Sequence, residues 1–236
     1  MSRRWTVPIL AGAFCLLTLP AWADSNRDYT ERQEFTCPLA ENGRVSLKSE
    51  VGEVRVHASD RRDVHIVAVK RAKNSDEHNG PGRVSELRVE VHPTPGQVSV
   101  RGIWPDRSFT WMLRGKTRLQ IDFDIEVPRT ARLEVQNDIG EVRIEGAAND
   151  VMVRENIGEV RIELADSFLP RRVYLHVNIG DVDTGFPGRT QGWLGKKFTA
   201  ILDGERALDV RVNIGDIRVS GGKIAGPKKA KKVTEL

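Results

Sequence analysis

The chain has 236 residues, of which 37 are Lys or Arg and 33 are Asp or Glu, so that its formal net charge is +4. Five lysines and one glutamate in the last fourteen residues account for this excess, and the near-neutral remainder gives no indication of nucleic-acid binding. Beyond the first 23 residues no stretch approaches the roughly 20 apolar residues of a transmembrane helix, and we expect no such segment.

Residues 1–23 have the features of a secretory signal peptide. Arg3 and Arg4 precede an apolar stretch at 9–19, and an A-x-A cleavage site follows at 21–23. We therefore expect an exported protein, located in the periplasm, the outer envelope or the extracellular space.

The two cysteines indicate little redox chemistry. Cys15 lies within the leader and follows Phe14, where a lipoprotein would need a small residue, so lipid attachment is disfavoured. Cys37 is then the only cysteine left, and it cannot form an intramolecular disulfide. We expect it to behave as a small buried hydrophobic residue, with an intermolecular disulfide as the alternative.

A short pattern recurs five times along the chain. Each copy has an alternating apolar run that leads to a Gly, then Glu or Asp, and then a second alternating run. Such self-similarity is typical of stacked, repeat-built β structure. The copies occupy residues 45–56, 133–144, 151–162, 173–184 and 208–219, and their glycines are Gly52, Gly140, Gly158, Gly180 and Gly215.

Within a copy, apolar residues lie at positions −7, −5, −1, +2 and +4 relative to the Gly; in the third copy these are Val151, Val153, Ile157, Val160 and Ile162. The period of two within each run is that of a half-buried strand, and we expect all five positions to face inward. The spacing of three across the Gly requires a bend or a bulge. Each repeat Gly is therefore predicted to be a corner residue with a positive φ.

Outward positions are patterned as well. Position +1 is acidic in all five copies, position +3 is Arg in four and position −2 is Asn in three. Stacked copies would bring like charges together, so we expect neighbouring acidic and basic columns to pair laterally and the asparagines to form an amide ladder. Calcium binding by the acidic column is the alternative.

The segments between the copies also indicate strands. Polar turns separate alternating runs, 74–82 is predicted to be a loop, and the Gly- and Pro-containing segment 186–207 is predicted to be an irregular insertion. No segment shows helical periodicity. The predicted strands are 62–72, 84–92, 97–104 and 117–128.

These observations predict an all-β fold: a single repeat-built domain of short stacked strands, β-solenoid-like in character. We divide the chain into a signal peptide (1–23), an N-terminal lead-in (24–34), a β-strand-repeat domain (35–222) and a basic disordered tail (223–236).

The chain resembles the putative-adhesin β-strand-repeat family, whose domains are described as toast-rack-like. The resemblance depends on VGEVRV near the start of the domain, IDFDIEVPRTARLEV before the main block, and the later NIGEVRI and NIGDIRV copies. It covers about residues 35–220. It implies a single domain of stacked short strands, exported or displayed at the envelope, and it supplies no catalytic residues.

No catalytic or metal-binding motif accompanies the repeats. The five histidines lack metal-site spacing, no G-x-S-x-G is present, and the Gly-Lys pairs at 115–116 and 195–196 lack the P-loop context. We expect no enzymatic activity and no cofactor. A polysaccharide-acting enzyme is the alternative, and it would need two carboxylates in one cleft.

Two groups of residues are candidates for surface contact. Trp104, Phe109 and Trp111 cluster within 102–113, and Trp193 and Phe198 lie in the insertion; their burial as a cap on the stack is the alternative. The tail lysines could bind an anionic surface, or only improve solubility. These are Lys228, Lys229, Lys231 and Lys232.

The sequence thus favours an exported, non-enzymatic structural or adhesin-like binding protein of the cell envelope, with a calcium-stabilised binding module as a further alternative. Its expected partners are an envelope polysaccharide, an anionic surface or another protein. Self-association through edge strands is a further expectation, because open β stacks have unpaired edges.

Overall fold

The computed structural model describes residues 28–73, 80–105 and 118–222, which are almost entirely β structure. The 15 strands in these residues join into one open sheet, which confirms the all-β, repeat-built fold class. One short helix, α1 (Gly80–Glu86), accompanies them, and no helix in the described ranges is long and apolar enough to cross a membrane. The strands are β1 (Tyr29–Pro38), β2 (Arg44–Lys48), β3 (Val54–Ser59), β4 (Asp63–Lys73), β5 (Arg88–Thr94), β6 (Gln97–Ile103), β7 (Arg118–Pro128), β8 (Arg132–Ala147), β9 (Val151–Leu164), β10 (Pro170–Ile179), β11 (Val182–Thr184), β12 (Arg189–Gln191), β13 (Lys196–Ile201), β14 (Arg206–Ile214) and β15 (Ile217–Gly221).

The five repeat copies lie side by side, parallel and in register. Each copy has a first arm before its Gly and a second arm after it. The first arms are β2, the beginning of β8, the beginning of β9, β14 and β10, and the second arms are β3, the remainder of β8, the remainder of β9, β15 and β11. Because β14 lies between β9 and β10, the copies follow one another in the order one, two, three, five, four.

The repeat glycines form a column of close backbone contacts at the corner. Their φ angles lie between 139° and 154°, a range that residues with a Cβ rarely adopt. A Cβ added to Gly215 would overlap the carbonyl of Gly158, and one added to Gly158 would overlap the carbonyl of Gly140. Each corner therefore packs directly on the backbone of the preceding one. This glycine column consists of Gly52, Gly140, Gly158, Gly215 and Gly180.

The side chains that face inward from both arms form one apolar core. In the third copy Val153, Val160 and Ile162 are buried, as expected. The prediction that position −1 faces inward is wrong: Ile157 is 42% exposed, whereas Glu155 at position −3 is only 4% exposed. Because the chain turns at the Gly, inward-facing side chains occur at −3 and next at +2, while the side chains at −2 and −1 face solvent.

Strand β1 begins within the segment predicted to be a lead-in and pairs antiparallel with β4. Sequence reasoning missed this strand because Glu31 occupies a position where an apolar residue would be expected. The carboxylate of Glu31 forms an ion pair of 2.8 Å with the buried ammonium group of Lys70. Lys70 also donates a hydrogen bond to the carbonyl of Leu87. On the same strand Cys37 is buried without a disulfide partner, and its burial raises the pKa of the thiol.

Three segments differ from the predicted secondary structure. The end of the predicted loop (80–82) and the start of the predicted strand (84–86) both belong to α1, because Val84 and Leu87 are three residues apart and both are buried. The segment 186–207 was expected to be irregular but contains the hairpin β12–β13, which pairs antiparallel with β10. Phe198 and Ala200 anchor β13 in the core.

The glycine column predicts that a side chain at a corner disrupts the stack. Gly215→Ala should lower the free energy of unfolding by about 3 kcal/mol or more, because the methyl group combines an unfavourable φ with a backbone overlap. Gly185→Ala is the matched control, since a Cβ there would meet no atom within 4 Å. Urea unfolding of both variants checks this, and a Gly215→Ala variant as stable as the control would contradict the corner role.

Candidate binding surface

The outer face of the second arms carries a ladder of ion pairs. Arg161 binds Glu159 of its own strand at 2.6 Å and Glu141 of the neighbouring strand at 3.1 Å, and Arg218 binds Glu159 at 2.8 Å. The hydrogen bonds that Arg161 donates to Glu159 are the main reason that the pKa of Arg161 is raised. The lateral pairing of acidic and basic columns that the sequence predicted is therefore present.

In the last two copies of the stack the acidic residues bind backbone amides instead. Asp216 accepts a hydrogen bond from the amide of Asp181 at 2.9 Å, and Asp181 accepts one from the amide of Val182 at 2.8 Å. The described ranges contain no group of three or more His, Cys, Asp or Glu side chains that could hold a metal ion. The carboxylates of this column are thus engaged by arginines or by the backbone.

The outer face of the first arms carries an amide ladder. Asn178 donates to Asn213 at 2.8 Å, and Asn213 donates to Asn156 at 3.1 Å. These three residues occupy position −2 in adjacent copies, so the ladder follows directly from the parallel register. This also matches the expectation from the sequence.

Two positions before the ladder, a row of mainly basic side chains crosses six strands in register. We call this set the basic row. Arg211 is its most constrained member: it forms a bidentate pair with Asp209 at 2.9 and 3.0 Å and lies 5.2 Å from the ring centre of Tyr174. The Asp209 hydrogen bond raises the pKa of Arg211. The basic row consists of Lys48, Gln136, Arg154, Arg211, His176 and Lys197.

A shallow groove of about 370 Å³ separates the basic row from the amide ladder. Arg154 and Asn156 line it from β9, and Gln136 and Asp138 line it from β8. Its lining consists of amides, guanidinium groups, the imidazole of His176 and two acidic residues, Asp138 and Glu155. Such a surface suits hydrogen bonding to a polar or anionic partner.

An exposed apolar stripe borders this face at the corner. Ile139, Ile157, Ile214 and Ile179 occupy position −1 in adjacent copies, and each is between 41% and 49% exposed. With strands about 4.8 Å apart, the four side chains extend over roughly 14 Å. We call these four residues the isoleucine stripe. Contiguous exposed apolar side chains of this kind often mark contact sites.

Behind the corner, position −3 places three polar side chains in the core. Ser49, Asn137 and Glu155 come from the first three copies and are each at most 4% exposed. Asn137 donates a long hydrogen bond of 3.3 Å to the carbonyl of Gly52. The Ser49 hydroxyl, the Asn137 carbonyl and both Glu155 oxygens have no hydrogen-bond partner among the described residues.

Burial raises the pKa of the Glu155 carboxyl from its ordinary value of 4.5 to about 8. The charge of Asp138 adds to this rise, while Asn137 and the backbone amides of Ile157 and Gly140 partly oppose it. Because none of these neighbours forms a hydrogen bond of good geometry, loss of hydration dominates. Glu155 is therefore mainly a neutral acid at pH 7.

Of the aromatic residues proposed from the sequence, the structure describes Trp104, Trp193 and Phe198. Trp104 is only 9% exposed and packs against Gly102, so it is part of the core rather than a surface contact. Trp193 is 94% exposed, whereas Phe198 is buried. The remaining candidates, Phe109, Trp111, Lys228, Lys229, Lys231 and Lys232, lie outside the described residues.

Sequence reasoning missed the isoleucine stripe and the buried polar group. Position −1 is apolar in all five copies, whereas position −3 is apolar in only two, so the residue types favour −1 as the inward position. The apolar residues Val177 and Val212 at −3 are the one signal in the sequence for the observed direction.

No protein-family model and no curated protein matches the chain. Among solved structures, it is similar to a putative cell adhesion protein from Clostridium sporogenes, with a TM-score of 0.51 at 12% sequence identity. The match covers 83% of this chain and 100% of that one. At this level of identity the likeness concerns the fold alone.

The buried acid predicts a distinctive pH dependence of stability. Between pH 4.5 and about 8 the unfolded chain ionises Glu155 while the folded protein keeps it protonated, so stability falls as pH rises through this window and is level above it. Glu155→Gln should remove this fall and gain on the order of 4 kcal/mol relative to the wild type at pH 8.

Urea unfolding at a series of pH values measures this, with Glu163→Gln, an exposed substitution on the same strand, as the control. A Glu155→Gln profile parallel to that of the wild type would show that the carboxyl is not held neutral.

Proposed function

We propose that the protein is an exported, non-enzymatic binding protein of the cell envelope, which uses its repeat-built β surface for adhesin-like contact. The observation that carries the proposal is the continuous outer face of the first arms, where a basic row, an amide ladder and an apolar stripe cross adjacent strands in register. The fold likeness to a putative cell adhesion protein supports it. The signal-peptide features of residues 1–23 support export.

The placement of the carboxylates favours binding over catalysis. Glu155, the one carboxyl with a strongly raised pKa among the described residues, is only 4% exposed and cannot reach a substrate. The carboxylates of Glu141 and Glu159 are held by arginines at 2.6–3.1 Å. A polysaccharide-acting enzyme would need two accessible carboxylates facing one another across a cleft.

Co-sedimentation with isolated bacterial envelopes tests the proposal. The protein without residues 1–23 should pellet with envelopes at low salt and be released as ionic strength rises, because the basic row is exposed and its attraction to anions is screened. A variant ending at Gly222 separates the tail lysines from the folded surface. Failure of both forms to pellet at low salt would refute envelope binding.

Calcium should leave the thermal stability unchanged. The acidic column is already paired with arginines and backbone amides, and a ligand that does not bind the folded state gives no stabilisation. Thermal unfolding with calcium and with a chelator measures this, and magnesium serves as the control for ionic strength. A midpoint that rises with calcium but not with magnesium would instead support the calcium-stabilised module.

A further inference from the structure

The tip of the hairpin β12–β13 presents two large apolar side chains to solvent. Trp193 is 94% exposed and Leu194 is 67% exposed, whereas Phe198 in the same hairpin is only 3% exposed. The hairpin is thus anchored in the core at one end and holds its apolar tip outside. Leaving a Trp and a Leu adjacent in water is unfavourable unless a partner covers them.

The backbone fixes where this tip lies. Gly192 has a φ of 110° and packs against the carbonyl of Gly195. Gly195 in turn lies directly against the carbonyl groups of Val177 and Asn178, which immediately precede Ile179. The tip is therefore held beside the corner end of β10, next to the isoleucine stripe.

The tip and the stripe together form one apolar edge. Ile179 is the last residue of the stripe and, at 49%, its most exposed one. Trp193 and Leu194 add two larger side chains at that end of the stack. We call this combined set, the isoleucine stripe with Trp193 and Leu194, the apolar edge.

Cations lie near the apolar edge on both faces of the hairpin. Lys197 shares the outer face with His176, Lys196 shares the opposite face with Val177, and Arg189 begins β12. Among the described residues no ion pair joins any of these three cations to a carboxylate. Lys197 lies 5.5 Å from the ring centre of Tyr174 and continues the basic row. The nearby acids are Asp138, an exposed residue directly before Ile139, and Asp181 and Asp216, which belong to the second arms and accept hydrogen bonds from backbone amides.

We propose that the apolar edge docks on an anionic lipid bilayer, with Trp193 and Leu194 inserted at the level of the headgroups and the flanking cations bound to lipid phosphates. Trp is favoured at membrane interfaces, and Lys and Arg near an anionic surface add electrostatic attraction. This inference rests on the proposed envelope function and names the component of the envelope that is bound.

A bilayer suits the edge better than two other partners do. A soluble acidic polysaccharide would satisfy the cations but has no apolar interior for Leu194 and the isoleucines. A second copy of the chain would add the same cations to the contact and supply no additional negative charge to compensate them. A lipid surface combines an apolar interior with a layer of negative charge.

Vesicle co-sedimentation tests the proposal, with the protein used without residues 1–23 because the apolar leader would bind lipid by itself. Vesicles of phosphatidylethanolamine with phosphatidylglycerol should bind the protein, and phosphatidylcholine vesicles should bind it much less. The double variant Trp193→Ala with Leu194→Ala should lose about tenfold in affinity. Ile201→Ala, which removes an 88% exposed side chain at the other end of β13, should bind like the wild type.

Two further readouts keep the test specific. Tryptophan emission should shift to shorter wavelength on addition of anionic vesicles, and this shift should be absent in Trp193→Phe although that variant still binds. Lys196→Gln with Lys197→Gln should weaken binding, whereas Arg171→Gln with Arg172→Gln, at the far end of β10, should not.

The failures of this proposal and of envelope binding are distinguishable. Envelope binding without vesicle binding, or vesicle binding that the double tip variant leaves unchanged, would overturn docking through the apolar edge while leaving the envelope function intact. Vesicle binding that disappears only in a variant ending at Gly222 would do the same, since it assigns the contact to the tail. Concentration-dependent dimerisation that is abolished by the tip substitutions, without vesicle binding, would assign the edge to a second copy.

Discussion

The close approach of each corner Gly after the first to the carbonyl of the preceding copy in the stack is the constraint on which the rest of the structure depends. It requires the five chain segments to turn at the same level, and it therefore fixes their register to a single residue. A shift of one residue would place a Cβ into a neighbouring carbonyl and would also turn the inward side chains outward. The corner thus specifies the stack more strictly than apolar burial alone, which tolerates exchange among Val, Ile and Leu.

Fixed register makes every position in the repeat a continuous row on the molecule. Like residues then become neighbours at the spacing of adjacent strands, and the charge or polarity of each row must be compensated separately. Arginines two positions after the acidic residues form ion pairs with the acidic row, as Arg161 does with Glu141 and Glu159. Asparagines satisfy one another, and isoleucines at position −1 simply remain exposed. The binding surface proposed above is therefore a product of the same register that builds the fold.

The repeat itself could be read from the sequence, and with it the corner glycines, the ion-pair ladder and the amide ladder, because each follows from local spacing plus parallel stacking. The outward direction of the Ile157 side chain could not be predicted from the sequence. The next inward residue after position −3 is at +2, and that spacing depends on how sharply the chain turns at the Gly. Strand β1 was missed because Glu31 is kept near the core by Lys70, a partner 39 positions further along the chain. The order of the last two copies was also beyond the sequence, because copies four and five carry nearly the same pattern and either could follow β9.

That order has a consequence for how the chain is made. Strand β10 is synthesised before β14, yet β14 occupies the place between β9 and β10. Until residues 206–221 have been synthesised, β9 and β10 each lack the strand that lies between them. The hairpin β12–β13 can pair with β10 at this stage, but β10 is not yet joined to the rest of the sheet. The fifth repeat copy completes the sheet from within, so assembly of the sheet depends on contacts distant in sequence. We expect a chain of this design to complete its fold only when the fifth repeat copy is available.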